Sequence, residues 1–425
     1  MNNFKRILTA ALALSAFMNF TACGASEPIS EAPNNDPSPK SISASTSDIP
    51  DYAAMTLALN AFSTQLFKQC DDFSPETNTL VSPISVYMAL SMVMNGANGD
   101  TLTEMEHLLA GSRNSADNIN SYALNYLNSA NNNILSIANS MFIMKRDDIT
   151  INDKFKNKLT QTYGAELFSE VYSEKTVDHI NSWVNDKTHK MIPKILDPDS
   201  INESTVSVLL NAVAFEGEWT EEYTKDNVTT EDFMNLNGTS TTADYLNSTE
   251  SIYIENDDAA GFIKPYKTDK NGDYSFIAIL PNEDIDISNY ISSLTADTID
   301  SLVNDQTYTD VLVKIPKFTF DSTYSLKNML SDMGMPSAFY DADFSGITTS
   351  TDIVIGDVIH KTHIELDEKG TKAAAATAVT MFDNAAAFSP EEPKEVFLTR
   401  PFVFMIYDNT YSCPIFIGKL CTMDQ

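Results

Sequence analysis

The sequence is short of nearly everything that builds a catalytic centre. Only five histidines occur in 425 residues, and none sits in an HExxH pattern. There is no CxxC pair, no GxSxG elbow and no glycine-rich loop that would cradle a phosphate. None of His179, His189, His360 and His363 has a cysteine or histidine partner at metal-ligand spacing, and a buried, hydrogen-bonded role is the default for His360. The acidic loops "DDFSPETNT", "NEDIDIS" and "DKNGD" miss the calcium-loop spacing and read as solvated surface. Nothing here speaks for an enzyme, a cofactor or a bound metal.

Positive charge is also scarce. Lys and Arg total 27 against 59 Asp and Glu, a formal net charge of -32. Such a surface repels nucleic-acid phosphates and disfavours adsorption to an anionic membrane. Solubility is what this acidity provides. Cysteine is rare too, with four in the chain. Apart from Cys23, at the end of the N-terminal segment, only Cys70, Cys413 and Cys421 remain, an odd number that is no disulfide framework. Cys413 and Cys421 are separated by "PIFIGKL", which reads as a strand, and buried free thiols are expected.

What is present begins with an export signal. Lys5 and Arg6 precede the apolar run "ILTAALALSAFMNF", which is too short for a comfortable membrane span. The run ends at "FTACGAS", where Ala22 before Cys23 resembles the bacterial lipoprotein processing site. Phe20 departs from the leucine usual there, and an ordinary secretory signal is the alternative. The expectation is a signal peptide over 1–22, a lipid on Cys23 and an exported, extracellular or cell-surface protein. Residues 23–50, rich in Pro, Ser and Asn, have the composition of a flexible tether. The remainder, 51–425, has no internal repeat and no second linker, and 43% of the chain is hydrophobic, enough for a large core.

The first part of that domain is helical in pattern. Met55, Leu59, Phe62 and Leu66 make one apolar stripe. In "SPISVYMALSMVMNGANG", Ser82 can cap, Pro83 suits the first turn, and Gly96 and Gly99 can end a helix that is apolar nearly all round. "TLTE" from Thr101 to Glu104 reads as a capping box for the next helix, and "TVDHINSWVNDKTH" as another helix. Later segments change period. "YSFIAILP", "DVLVKIPKFTF", "THIELD", "PFVFMIYD" and "PIFIGKL" are short, β-branched or aromatic, and bounded by turn residues, with one helical interruption at "STYSLKNMLSDMG". Helices early and strands late predict an α+β fold with large, mostly antiparallel sheets.

Five stretches, in order, resemble one family. They are "NTLVSPISVYMALSMVMNGANGDTLTEM", "NAVAFEGEWTEEY", "LVKIPKFTFDSTYSLKNMLSDMGMPSAFYDADFSGIT", "VIHKTHIELDEKGTKAAAATA" and "RPFVFMIYDNTYSCPIFIGKL". Together they are similar to the serpins, over about Asp51 to the C-terminus. The resemblance implies a serpin fold, helices packed around large sheets, with an exposed reactive loop over about 368–395. It implies a monomer that inhibits a serine-type endopeptidase as a suicide substrate. The protease cuts the loop and forms a covalent acyl complex, and the loop then inserts into the main sheet. No nucleic acid is implied, and the membrane only through the N-terminal lipid. The alternative is a non-inhibitory serpin acting as a surface binding module.

The loop can be tested against insertion. From Thr371 the alternate residues Thr371, Ala373, Ala375, Thr377, Val379 and Met381 carry no charge, as an inward face requires. No proline follows Gly370 before Phe382, and Gly370 supplies hinge freedom. Glu368 opens this hinge. An Ala-rich helix is the competing reading, but Thr371, Thr377, Val379 and Thr380 are β-branched and no apolar stripe results. By resemblance, Ser82, Ser85, Asn211 and His360 match the polar residues where the sheet opens, and Trp219 the aromatic at the first point of insertion. Family spacing from Glu368 puts the scissile bond between Asn384 and Ala385. The loop is longer than usual, so Met381, Phe382, Ala387 and Phe388 are alternatives. "TMFDNAAAF" has no Lys or Arg, which disfavours trypsin-like targets and favours elastase-, subtilisin- or chymotrypsin-like ones.

Overall fold

The stripe Met55, Leu59, Phe62 and Leu66 is buried along α1 (Tyr52–Phe73), and α2 (Pro83–Met94) is buried on nearly every side. In this computed structural model the described residues are 52–423 except 113–114, 131, 172, 203–204, 269–271, 351 and 372–391. They lie in one compact unit, Pro50–Gln425. The expected signal peptide over 1–22, Cys23 and the expected tether over 23–50 fall outside the described residues. The further helices are α3 (Gly99–Ala110), α4 (Ala116–Ala130), α5 (Asp153–Tyr163), α6 (Glu174–Lys187), α7 (Ile287–Ser293), α8 (Ala296–Asn304), α9 (Lys327–Asp332) and α10 (Ser337–Tyr340).

One cap and one helix boundary differ from the sequence pattern. Ser82 does occupy the N-cap of α2, but its side chain makes no capping hydrogen bond. "TLTE" lies inside α3, which starts two residues earlier after Asn98. Its side chains serve tertiary contacts instead. Thr101 Oγ1 accepts from the Asp343 N–H at 2.9 Å, and the Glu104 carboxylate accepts from the Ser337 N–H and hydroxyl at 2.8 and 2.7 Å.

Strands are numbered in chain order. The largest sheet runs β1 (Thr79–Val81), β16 (Cys413–Leu420), β15 (Phe402–Asp408), β9 (Tyr274–Pro281), β8 (Ala259–Pro265), β7 (Ser240–Glu255), β10 (Thr307–Pro316) and β14 (Lys394–Phe397), with β6 (Val228–Met234) also on β7. All its pairings are antiparallel except β10 with β14. A second sheet orders β11 (Phe318–Ser325), β12 (Ile359–Leu366), β13 (Gly370–Thr371) and β5 (Gly217–Glu218). A third orders β3 (Glu166–Glu170), β2 (Leu135–Met144) and β4 (Ser207–Phe215). β15 and β16 are buried throughout, which is why their sequences are continuous apolar runs rather than alternating ones. β11 alternates strictly, with Phe318, Phe320, Ser322 and Tyr324 inward.

The α+β class with mostly antiparallel sheets is as expected, but strands enter earlier than the pattern suggested. β2 contains Asn139 and Ser140, both buried, and polar residues mid-strand mask its period. Asn139 is accommodated because its Nδ2 donates to the Tyr163 carbonyl at 2.8 Å. The three described cysteines are free and buried. Cys413 opens β16 and Cys421 directly follows its last residue, Leu420, so eight strand steps at ~3.3 Å each span ~26 Å, far beyond disulfide reach.

Candidate functional site

The second and third sheets face one another across a slot. β4 and β12 are not hydrogen-bonded to each other. Among the described residues a cavity of about 270 Å³ lies between them, walled by Ser207–Val213 of β4 and Ile359–Ile364 of β12. Ser82, Ser85, Val86 and Ala89 of α2 also line it.

Polar groups converge there. His360 is buried, and its Nε2 accepts the backbone N–H of Ser82 at 3.0 Å. The ring is therefore neutral, with its proton on Nδ1, and burial pushes its pKa down to about 4. Thr362 Oγ1 donates to the Leu80 carbonyl at 2.9 Å, and Ser322 Oγ accepts the Leu80 N–H at 3.1 Å, so β12 and β11 are stitched to the segment leading into α2. Asn211 stands on the opposite wall and donates through Nδ2 to Asn139 Oδ1 at 2.7 Å. Ser82 Oγ and Asn211 Oδ1 are buried with no partner among the described residues. Two unspent hydrogen-bonding atoms beside one slot are expensive unless something else uses them. Ser85, also buried, lines the same cavity.

At one end of the slot the chain has begun to bridge it. β13 pairs antiparallel with β12 through Thr371 and Leu366, and antiparallel with β5 through Gly370–Glu218 and Thr371–Gly217. β5 directly follows β4. A chain continuing beyond Thr371 in the same direction would therefore run antiparallel to both walls. Glycine is demanded at the turn. Gly370 has φ +156°, and a Cβ there would lie 2.0 Å from the Gly217 carbonyl oxygen.

Trp219 seals this mouth. It is fully buried and stacks on Tyr266 with centroids 4.7 Å apart. Its Nε1–H donates to the Asp367 carbonyl at 2.9 Å and its backbone N–H to that of Lys369 at 2.8 Å. Tyr266 OH shares a hydrogen bond of 2.6 Å with Thr371 Oγ1, and burial pushes the phenol's pKa up. The carboxylate of Glu368 accepts from Lys317 Nζ at 2.8 Å, which holds its pKa down. That pair is about one-third exposed and contributes little stability by itself.

Of the residues singled out by sequence, Ser82, Ser85, Asn211 and His360 line one cavity, and Glu368, Gly370, Thr371 and Trp219 gather at its mouth. Among the described ones, only Ser82 and His360 are joined by a hydrogen bond. Ala373, Ala375, Thr377, Met381, Phe382, Asn384, Ala385, Ala387 and Phe388 lie outside the described residues. Sequence reading missed Tyr266, Lys317 and Asn139. Each gains meaning only from a partner more than 20 residues away, so no local signal marked them.

Comparison with known proteins agrees with this geometry. The serpin family profile, serine protease inhibitor, matches residues 57–423. An uncharacterized serpin-like protein of Thermococcus kodakarensis is 30% identical over 378 residues, covering 85% of this chain and 84% of its own. The leukocyte elastase inhibitor of Xenopus tropicalis is 28% identical over 391 residues, covering 86% and 98%. The crystal structure of tengpin, a thermophilic serpin, in its native state superposes with a TM-score of 0.78 at 37% identity, covering 89% of this chain and 96% of tengpin. The chain belongs to the serpin family.

Proposed function

We propose that this serpin is an inhibitory one, a suicide substrate for serine-type endopeptidases. The observation that carries the reading is β13: a strand begun at Gly370, with Thr371 paired on both sides, at the mouth of a slot between β4 and β12. The protease's nucleophilic oxygen attacks the scissile carbonyl, an ester forms, and the new amine leaves. Residues after Thr371, small and uncharged on alternate positions, then extend β13 down the slot. Each added residue gains ladder hydrogen bonds, and the orphaned atoms of Ser82 and Asn211 gain possible partners. Before cleavage the protein is held by kinetics rather than by depth of its free-energy minimum.

Composition around Asn384–Ala385 favours elastase-, subtilisin- or chymotrypsin-like targets, and the similarity to a leukocyte elastase inhibitor supports the first. The N-terminal sequence supports export with a lipid on Cys23. The deciding experiment mixes the protein with elastase, chymotrypsin, subtilisin and trypsin, followed by denaturing gels. A covalent complex is expected with at least one of the first three, and mass analysis of the released peptide locates the bond. Cleavage by all of them with no complex would sink the reading.

A further inference from the structure

A buried ion pair lies behind the residues that hold the hinge. Lys264 Nζ on β8 meets Glu250 Oε1 on β7 at 2.6 Å, and their side chains are 8% and 10% exposed. The ammonium also sits over two aromatic faces, 5.3 Å from the Trp219 ring centroid and 4.9 Å from that of Tyr223. The circuit closes on itself. Ser248 Oγ bonds to Glu250 Oε1 at 2.5 Å and to Tyr223 OH at 2.8 Å.

Both aromatic residues point their donors at the same three residues. Trp219 holds the carbonyls of Asp367 and Lys369, and the Tyr223 N–H donates to the Glu368 carbonyl at 2.9 Å. Every backbone carbonyl from Asp367 to Lys369 is thus fixed by one of two side-by-side residues whose rings share a single cation. Stability alone does not call for charge here, because apolar residues of similar volume commonly replace a buried pair at no loss. An ammonium between two rings and a carboxylate does something apolar packing does not. It draws both ring faces towards one point, 5.3 Å from the Trp219 centroid and 4.9 Å from that of Tyr223.

We infer that Lys264 and Glu250 are positioning residues: they hold Trp219 and Tyr223 against the Asp367–Lys369 backbone and so keep the start of the inserting strand in register. This rests on the inhibitory reading for its consequence. If β13 is in register when the loop is cut, insertion outruns hydrolysis of the acyl ester. If it is loose, water completes the hydrolysis and the protease leaves free. The pair therefore sets the partition between trapping and release without touching the protease.

The test uses the full chain with Lys264→Met, Lys264→Arg and the double variant Lys264→Leu, Glu250→Leu, which leaves no orphaned charge should the single variant fail to fold. Two readouts are taken: moles of serpin consumed per mole of protease trapped, and amide exchange at Trp219 and Tyr223. The double variant is expected to raise consumption at least about twofold, the low end of coupling between neighbours. It is expected to speed exchange at both amides about tenfold through local opening. Lys264→Met should do the same, and Lys264→Arg should return both values to wild type. A double variant with wild-type consumption and wild-type exchange overturns the inference, leaving the pair as core filler. If the wild type traps no protease, the inhibitory reading fails, while the exchange readout still decides whether the pair positions the hinge.

Discussion

His360 Nε2 and the Ser82 amide are joined at 3.0 Å, which ties a wall of the slot to the first turn of the buried helix α2. The bond exists only while the imidazole is neutral, since a protonated ring has no acceptor. This makes the tie sensitive to acid.

His360 has its pKa lowered from 6.5 to about 4, so its contribution is full above pH 6.5 and is lost as the pH falls through 4. Over that interval the loss amounts to about 3 kcal/mol. Asp408 runs the other way. Burial pushes it from 3.8 up to about 6, so its contribution is full below pH 3.8 and is lost as the pH rises through 6. The two oppose each other in wild type. Comparison with His360→Gln cancels Asp408. Urea unfolding at pH 7, 5.5 and 4 should show wild type ahead at pH 7 and the two converging by pH 4. A constant gap across all three would refute a neutral, buried His360.

Much of this region was legible because its signals are local. β12 reads as alternation in "IHKTHIEL", and the requirement for Gly370 was visible as a hinge. The slot itself was not legible, because it is a relation between β4 and β12, 144 residues apart when counted from Phe215 to Ile359, that only tertiary structure defines. The "TLTE" box failed for a related reason. Thr101 and Glu104 have side chains suited to capping, but Asp343 and Ser337 from a distant segment claim them first.

A second buried pair tests the frame rather than the site. Lys419 Nζ on β16 lies 2.6 Å from Asp71 Oδ1 at the end of α1, with side chains 0% and 3% exposed. It also donates to the Pro75 carbonyl at 2.6 Å, and Thr79 Oγ1 donates to Asp71 Oδ1 at 3.0 Å. Removing one partner strands a buried charge. Asp71→Asn is expected to destabilise by about 3–5 kcal/mol. Chemical denaturation measures it, and a loss under about 1 kcal/mol would mean the charge finds water.

Gly370→Ala probes the mouth alone. Its Cβ would meet backbone, the Gly217 oxygen at 2.0 Å, which cannot swing aside as a side chain would. The β13–β5 pairs must break or the residue must strain, at a cost of about 1–3 kcal/mol. Amide exchange at Thr371 should rise while that of β2 and β15 stays at wild type. Unchanged protection at Thr371 would contradict the close approach.

Thr371 separates insertion from folding. It is 5% exposed, and its hydroxyl meets Tyr266 OH at 2.6 Å. Thr371→Val keeps the shape but strands the Tyr266 phenol, at about 1–3 kcal/mol, and leaves the inward face apolar. It should weaken the native protein yet still trap protease. Thr371→Arg places a charge at a β13 position enclosed by Gly217, Leu366 and Tyr266, and a buried unpaired charge is far costlier than a missing hydrogen bond. It should be cleaved at wild-type rate with almost no covalent complex, turning an inhibitor into a substrate. Both variants should weaken the native protein, Arg more than Val, because Thr371 is already buried in β13, but only Arg should lose trapping. If Arg still traps protease as wild type does, the strand does not enter at Thr371, and insertion beginning from β13 is wrong.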